Sequence, residues 1–378
     1  MVVVASLVVA VGTATGMLSA LEDRDGSDEA RPGSVSGSPG PRSLPVVPSA
    51  SEPVPASTSA SASASPSVDL SASPSPEKTG PGSAKSRTTP SPRLYRHPSS
   101  QVLDWVRDNP RDSRTDVIES RIADRPAAVW FADYAPATIT SRVRAVTSGG
   151  AAQGRVPVVV AYAIPDRDCG GASEGGAPDL GAYDAWIDGF AAGLGSGEVV
   201  VVLEPDSIAQ SDCLPADRRA DRFASLARAG RVLKAADPNA RVYYDAGHSG
   251  WNPVAAQASL LKQAGAASAA SSDGIFSNVS NFHTTSAEIA YDRQVLAALG
   301  GPSGLGAVID TSRNGNGAPA EGEWCDPAGR KIGRAPTLDT GEARIDGYLW
   351  VKLPGESDGC KGTPGTFSPS YAYELASP

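Results

Sequence analysis

From about Arg93 onward, short apolar runs alternate with longer segments whose apolar residues recur every three or four positions. The runs predict strands at 128–132, 157–164, 199–203, 241–245, 274–280, 307–309 and 348–351. The segments between them predict helices, among them 183–194, 215–236, 254–264 and 287–299, with two more ahead of the first strand at 102–107 and 118–123. Seven strands in alternation with helices give a mostly parallel sheet, either open or closed into a barrel. The clearest run is VVVVL at 199–203, bounded by Gly197 and Pro205. A run with no polar position reads as a strand buried on both faces. Pro205 ends it, because proline has no N–H to donate to a ladder.

Polar residues gather where the apolar runs stop. The first long strand leads into Asp166, Arg167, Asp168 and Cys169, and VVVVL leads into Glu204 and Asp206. The next ends in Asp245, His248 and Trp251; the next contains Asn278 and leads to Asn281. The last two deliver Asp310, Arg313 and Asn314, then Lys352, Glu356 and Asp358. One acidic turn is a strand terminus or a helix cap. The same chemistry at the same end of successive parallel strands is a site, because α/β folds place their chemistry there.

Composition narrows that chemistry. The formal net charge is −9, so nothing favours nucleic acid as a partner. With 3 histidines in the whole chain, and His248 alone on its turn, no metal cluster is expected. No G-x-S-x-G nucleophile elbow and no dinucleotide fingerprint is present, and the glycine-rich stretch 170–176 lacks the lysine of a phosphate loop. That stretch reads as a lid. No cofactor is expected. Several carboxylates with Trp130, Tyr162, Trp251 and Trp324 among them are the parts of a glycoside hydrolase: carboxyl groups for proton transfer, aromatic faces for sugar rings.

The first quarter of the chain is different. All 6 Trp, 10 Tyr and 6 Phe lie from Tyr95 onward, so residues 1–94 cannot build a packed core. Residues 1–21 are uncharged and apolar, a signal peptide or a membrane anchor, and either one exports the rest. They lack the basic stretch that opens a signal peptide. Residues 22–93 are a Ser/Pro/Ala-rich linker expected to be disordered, leaving 94–378 as the catalytic domain. The 4 cysteines all fall in that domain, which suits an oxidising compartment.

The runs YAIPDRDCGG, VVLEPDS, YYDAGHSGW, SNVSN, VIDTSRNGNG, EWCDPAGRKIG and WVKLPGESDGC, in this order, resemble glycoside hydrolase family six, the secreted cellulases. The resemblance spans about residues 95–378. It implies a distorted, incompletely closed parallel β/α barrel of about seven strands, and hydrolysis of β-1,4-glucosidic bonds with inversion. It implies that Asp206 is the general acid, that Asp168 keeps that acid protonated, and that Asp358 is the candidate base. Carboxylates placed close together do raise one another's pKa. Trp130, Tyr162, His248, Trp251, Asn281, Trp324, Lys352 and Glu356 carry over as substrate contacts. Asp245 and Arg313 match motif residues in support, and Glu204 is expected to anchor the strand end by hydrogen bonds. The family's water-holding lid serine corresponds to Ser173, here followed by an unusual Glu174. The cysteines alone allow three connectivities; the family pattern implies Cys169–Cys213 and Cys325–Cys360. The stretches 206–218 and 358–371 are short, so an open cleft and endo action are expected, with exo action or a non-catalytic glucan-binding relative as alternatives. The implied partner is cellulose or a soluble β-1,4-glucan, with the protein a monomer apart from any membrane tether.

Overall fold

The computed structural model describes residues 93–378, apart from Ala172 and Glu321. The leader or anchor expected at 1–21 and the linker expected at 22–93, all but its last residue, lie outside the described residues.

Helix α1 (Gln101–Asp108) and helix α2 (Thr115–Ile118), which runs on into a π-helical turn (Glu119–Ala123), precede the sheet. Seven strands follow: β1 (Val129–Phe131), β2 (Val158–Ala161), β3 (Val199–Leu203), β4 (Ala240–Asp245), β5 (Gly274–Ser277), β6 (Gly306–Asp310) and β7 (Ile345–Leu349). They lie in sequence order, every neighbouring pair parallel. Between them run α3 (Ile139–Ala152), α4 (Leu180–Ala191), α5 (Ala216–Ala236), α6 (Val254–Gln263) and α7 (Thr285–Leu299), and α8 (Pro369–Ala376) closes the chain.

No ladder joins β7 to β1 among the described residues. Ala128 N–H donates to Trp350 O at 2.9 Å, and the Trp130 indole N–H donates to Val351 O at 2.7 Å. These two bonds are the seam of a curled sheet, the incompletely closed barrel that the family resemblance implied.

The apolar runs fill both faces. Along β2 and β3, Val158, Val160, Val200 and Val202 join Tyr243, Phe276, Val308 and Leu349 in a cluster built from sheet residues. The alternate positions, among them Val159, Val201, Leu203 and Val242, pack with Trp186, Phe190, Phe223 and Leu226 from the helices. This is the period-2 alternation of a strand with both sides covered. Every residue of β3 is at most 1% exposed. Each such aliphatic side chain contributes roughly 1.5–3 kcal/mol on burial, which makes β3 a rigid post for whatever follows it.

Three apolar runs continue two or three residues past the C-terminal ends of their strands. Beyond Ala161, the N–H groups of Ala163 and Ile164 turn to the Glu204 carboxylate instead of a neighbouring strand. Beyond Ser277, Asn278 takes φ 64° and donates to Gly247 O. Beyond Leu349, Val351 N–H donates to Asp310. In each case a buried polar group beyond the strand end captures the backbone. Helix α3, ITSRVRAVTSGGAA, was not among the expected helices, since its serines, threonines and paired glycines are weak helix formers. The glycines have a packing reason. A Cβ on Gly149 would lie 2.5 Å from the Tyr95 hydroxyl, and one on Gly150 would lie 2.8 Å from the Pro157 ring.

Candidate active site

The turn after β3 is strained and clamped. Glu204 (φ 52°) and Asp206 (φ 69°) both occupy the left-handed region, which costs a non-glycine residue free energy unless its surroundings enforce it. Two buried carboxylates enforce it. Glu204 accepts from the N–H groups of Ala163 and Ile164 at 2.9–3.0 Å, and burial raises its pKa to about 7. Asp245, at the end of β4, accepts from Ile208 and Ala209 through Oδ2 at 3.0 and 2.8 Å, and from Gly247 through Oδ1 at 2.9 Å. The turn is thus held from the strand on either side.

Asp206 itself is half-buried and opens onto a cleft. Dense surrounding protein makes its charged form costly and raises its pKa well above the ordinary range; Asp245 adds to this, and Asp168 adds less. Asp168 was expected to be the cause. It ranks third, because burial acts on the carboxyl directly and Asp245 packs under the same turn.

Asp168 sits in the loop after β2, also with positive φ, 54°. Its Oδ2 accepts from Ser173 N–H at 2.7 Å, which ties it to the glycine-rich loop. Arg167 braces both sides. Its guanidinium donates to Ser173 O at 2.8 Å, Ala132 O at 2.6 Å and Tyr162 O, and stacks 4.5 Å over the Tyr162 ring. The loop returns past Gly176, where φ is +104° and a Cβ would lie 2.2 Å from Ile164 O, so only glycine fits. The Cys169–Cys213 disulfide ties it to the segment beyond Asp206.

Aromatic groups line the cleft near these acids. Trp130 meets Tyr162 edge to face at 5.2 Å. Tyr162 is buried and beside Asp206, so its hydroxyl keeps its proton at any ordinary pH. His248 lies 5.2 Å from Trp251 and stacks at 4.2 Å on His283. Burial and His283 lower its pKa to about 4, so it is neutral at working pH. Trp324 stands 57% exposed on the rim.

Asp358 lies in a network of opposite charges. Its Oδ2 accepts from the fully buried Arg313 at 2.6 Å, and its Oδ1 is 3.3 Å from the Lys352 ammonium. Behind it, Asp326 organises the whole loop. It accepts from Asp358 N–H at 2.8 Å on Oδ1, and from Ser357 Oγ, Cys360 N–H and Lys361 N–H at 2.5, 3.0 and 2.8 Å on Oδ2. The Cys325–Cys360 disulfide links the two segments covalently, so both cystines pair as the resemblance implied. Glu356, packed near Lys352, is raised by burial to about 7.

One cleft of ≈ 1290 Å³ brings together Trp130, Tyr162, Asp168, Ser173, Glu174, Asp206, His248, Trp251, Asn281, Trp324, Lys352, Glu356 and Asp358. Asp245 and Arg313 lie behind it as supports rather than in its wall. Sequence reasoning passed over Asp326 and His283. Asp326 stands inside a quoted motif but looks like any acidic residue after a cysteine, and His283 follows a strand end by only a few residues. Among the described residues no group of histidine, cysteine and carboxylate side chains is arranged to hold a metal ion. The arrangement instead offers a carboxyl whose surroundings favour its proton, further carboxyl groups along the same cleft, and aromatic faces beside them.

A family model described as glycosyl hydrolases family 6 matches residues 86–374. The chain is 53% identical over 298 residues to endoglucanase 1 of Streptomyces sp. (strain KSM-9), covering 78% of this chain and 81% of that protein. It is 51% identical to endoglucanase A of Thermobispora bispora, over 75% of this chain and 61% of that longer protein. Among solved structures, the endoglucanase Cel6 of Mycobacterium tuberculosis superposes with a TM-score of 0.69 at 38% identity, covering 76% of this chain and 97% of that one.

Proposed function

Because the chain belongs to glycosyl hydrolase family 6, we propose that it cleaves β-1,4-glucosidic bonds of cellulose or a related soluble glucan, within the polymer and with inversion. The observation that carries this reading is the state of Asp206. It is a carboxyl at the end of a rigid strand, facing an aromatic-lined cleft, with burial and two neighbouring carboxylates favouring its proton. A general acid must enter the reaction protonated.

In the proposed reaction a glucan lies along the trough against Trp130, Trp251 and Trp324. Asp206 donates its proton to the glucosidic oxygen as the bond to the anomeric carbon breaks. Water attacks the opposite face of that ring and gives up its proton. Asp358 is the candidate base; both of its oxygens already engage cations, which supports a route in which Ser173 and Asp168 pass that proton on through water. An inverting pair needs about 6.5–9.5 Å between acid and base to hold the water. The endo assignment is supported by the short loops after Asp206 and Asp358, and by relatives named endoglucanase at 51–53% identity against about 30% for those named cellobiohydrolase. The Mycobacterium structure carries a thio-linked cellobioside derivative, which supports the substrate class. Two disulfides support action outside the cell, either free or tethered through residues 1–21.

The test is Asp206→Ala on two substrates. On carboxymethyl-cellulose the loss of a general acid should cost about 10²–10⁴-fold in turnover. On an aryl cellobioside with an acidic phenol, whose leaving group needs no proton, the loss should be far smaller. Equal losses on both would overturn the assignment. NMR of early products should show the α-anomer, and the specific viscosity of carboxymethyl-cellulose should fall well before reducing ends accumulate.

A further inference from the structure

Behind the His248–Trp251 turn, helix α7 carries two acidic residues one turn apart, Glu288 and Asp292, both 0% exposed. Neither belongs to an ion pair among the described residues. Each spends one oxygen on a different part of the cleft. Glu288 Oε1 accepts from Ser249 N–H at 3.0 Å, in the turn between His248 and Trp251. Asp292 Oδ2 accepts from Ser277 Oγ at 3.0 Å, directly before the Asn278–Asn281 turn. Each also has one buried oxygen with no partner, Glu288 Oε2 and Asp292 Oδ1.

Residues at helical spacing i, i+4 are neighbours on one helix face, with their Cβ atoms about 5–6 Å apart. Fully buried and without an ion-pair partner among the described residues, two charges there would cost several kcal/mol each in desolvation alone. One proton between them removes a charge and gives an orphaned oxygen its partner. We propose that Glu288 and Asp292 share a proton and act as one positioning unit for the two turns that bear His248, Trp251 and Asn281. Burial holds both carboxyls above their ordinary pKa, and Glu288 raises Asp292 further, which agrees with this.

The surroundings offer no substitute for that proton. On α7 itself, Tyr291 donates to Ala246 O, and Arg293 is committed to Glu342. The turn after β4 presents Asp245 and the neutral His248, stacked on His283. Strand β5 has no charged residue, Asp310 of β6 is saturated by backbone donors, and Lys262 of α6 is exposed. A raised folded pKa contributes stability that is present below the unfolded value near 4 and is lost as pH rises through the folded one. Deprotonation would place two anions side by side and push the Ser249 and Ser277 segments apart.

The positioning role rests on the β-glucan reading of the cleft; the shared proton does not. Asp292→Asn supplies the missing hydrogen permanently, and Glu288→Gln is a second variant should the first fold poorly. Melting temperature followed from about pH 5 to pH 9 should decline toward alkali in the parent and less in the variants. The Ser249 amide proton shift, which needs no substrate, should titrate in the parent and stay flat in the variants. The KM on carboxymethyl-cellulose should rise at alkaline pH, with kcat less affected, and that rise should be lost in Asp292→Asn. Melting curves that run parallel in all three proteins would overturn the shared proton. Flattened melting curves with an unmoved Ser249 shift would overturn the positioning role, and an absence of any β-glucan turnover would count against the proposed activity alone.

Discussion

Removal of the Asp326 carboxylate should dismantle one wall of the cleft while leaving the barrel folded. The residue is 3% exposed, and its carboxylate accepts four hydrogen bonds, from Ser357, Asp358, Cys360 and Lys361. Burial alone would raise its pKa, but those donors, led by the Ser357 hydroxyl, hold it below the ordinary range. A hydrogen bond to a charged group is worth about 1.5–3 kcal/mol, so four set a ceiling of roughly 6–12 kcal/mol. Cys360 and Gly359 are exposed, and water will replace part of that in Asp326→Ala. A net loss of about 3–5 kcal/mol is expected, close to the cost of breaking a buried ionic group from its partners. For a domain of this size that is roughly 5–8 °C in melting temperature. Asp326→Asn cannot repair it. Whichever way the amide turns, its NH₂ faces a donor: Asp358 N–H on one side, three donors on the other. Asp358 then loses its backbone anchor but stays tethered through Cys325–Cys360. A displacement of about 1 Å can cost 100-fold in rate, so kcat should fall much more than melting temperature suggests. The assay is calorimetry alongside kcat on carboxymethyl-cellulose. A variant melting within a degree of the parent and turning over within twofold of it would refute the role assigned to Asp326. Because this carboxyl's folded pKa is lowered, its contribution is present above an unfolded pKa near 4 and is lost as pH falls further; Asp326→Ala should therefore lack that acid-side decline.

Two further outcomes follow. As the proposed general acid, Asp206 would have to be protonated to act, so the alkaline limb of kcat/KM should move to lower pH in Asp245→Asn and, by a smaller amount, in Asp168→Asn; the reverse order would contradict the ranking of causes at Asp206. Each cystine closes a loop worth about 4 kcal/mol in chain entropy, and both staple segments bearing Asp168 or Asp358, so graded reduction should abolish activity before near-ultraviolet circular dichroism reports loss of the core, and simultaneous loss would refute this.

The strands were legible because each is an apolar run that needs no partner to announce itself; VVVVL at 199–203 has the same bounds in sequence and structure. Their ends were less so, because Glu204 and Asp310 pull backbone N–H groups out of the ladder, and which backbone a carboxylate will meet depends on the neighbouring strand. Asp206, Asp168 and Asp358 could be picked out through motif context. The supports could not. Asp326 gains its meaning from residues more than thirty positions later, and Glu288 and Asp292 look like a solvated helix face until α7 is packed on β5.

The seam between β1 and β7 consists of a backbone bond at Ala128 and the Trp130 indole N–H bound to Val351 O. Trp130 is therefore a clasp on a hoop as well as a proposed surface for sugar. Its one polar hydrogen is spent on closure, which leaves only the ring for a glucan. Deleting the side chain would unfasten the hoop and strip the trough in one stroke, so a loss measured in Trp130→Ala is no measure of stacking. Trp130→Phe, which keeps a ring and drops the N–H, separates the two: whatever it loses in rigidity belongs to the clasp.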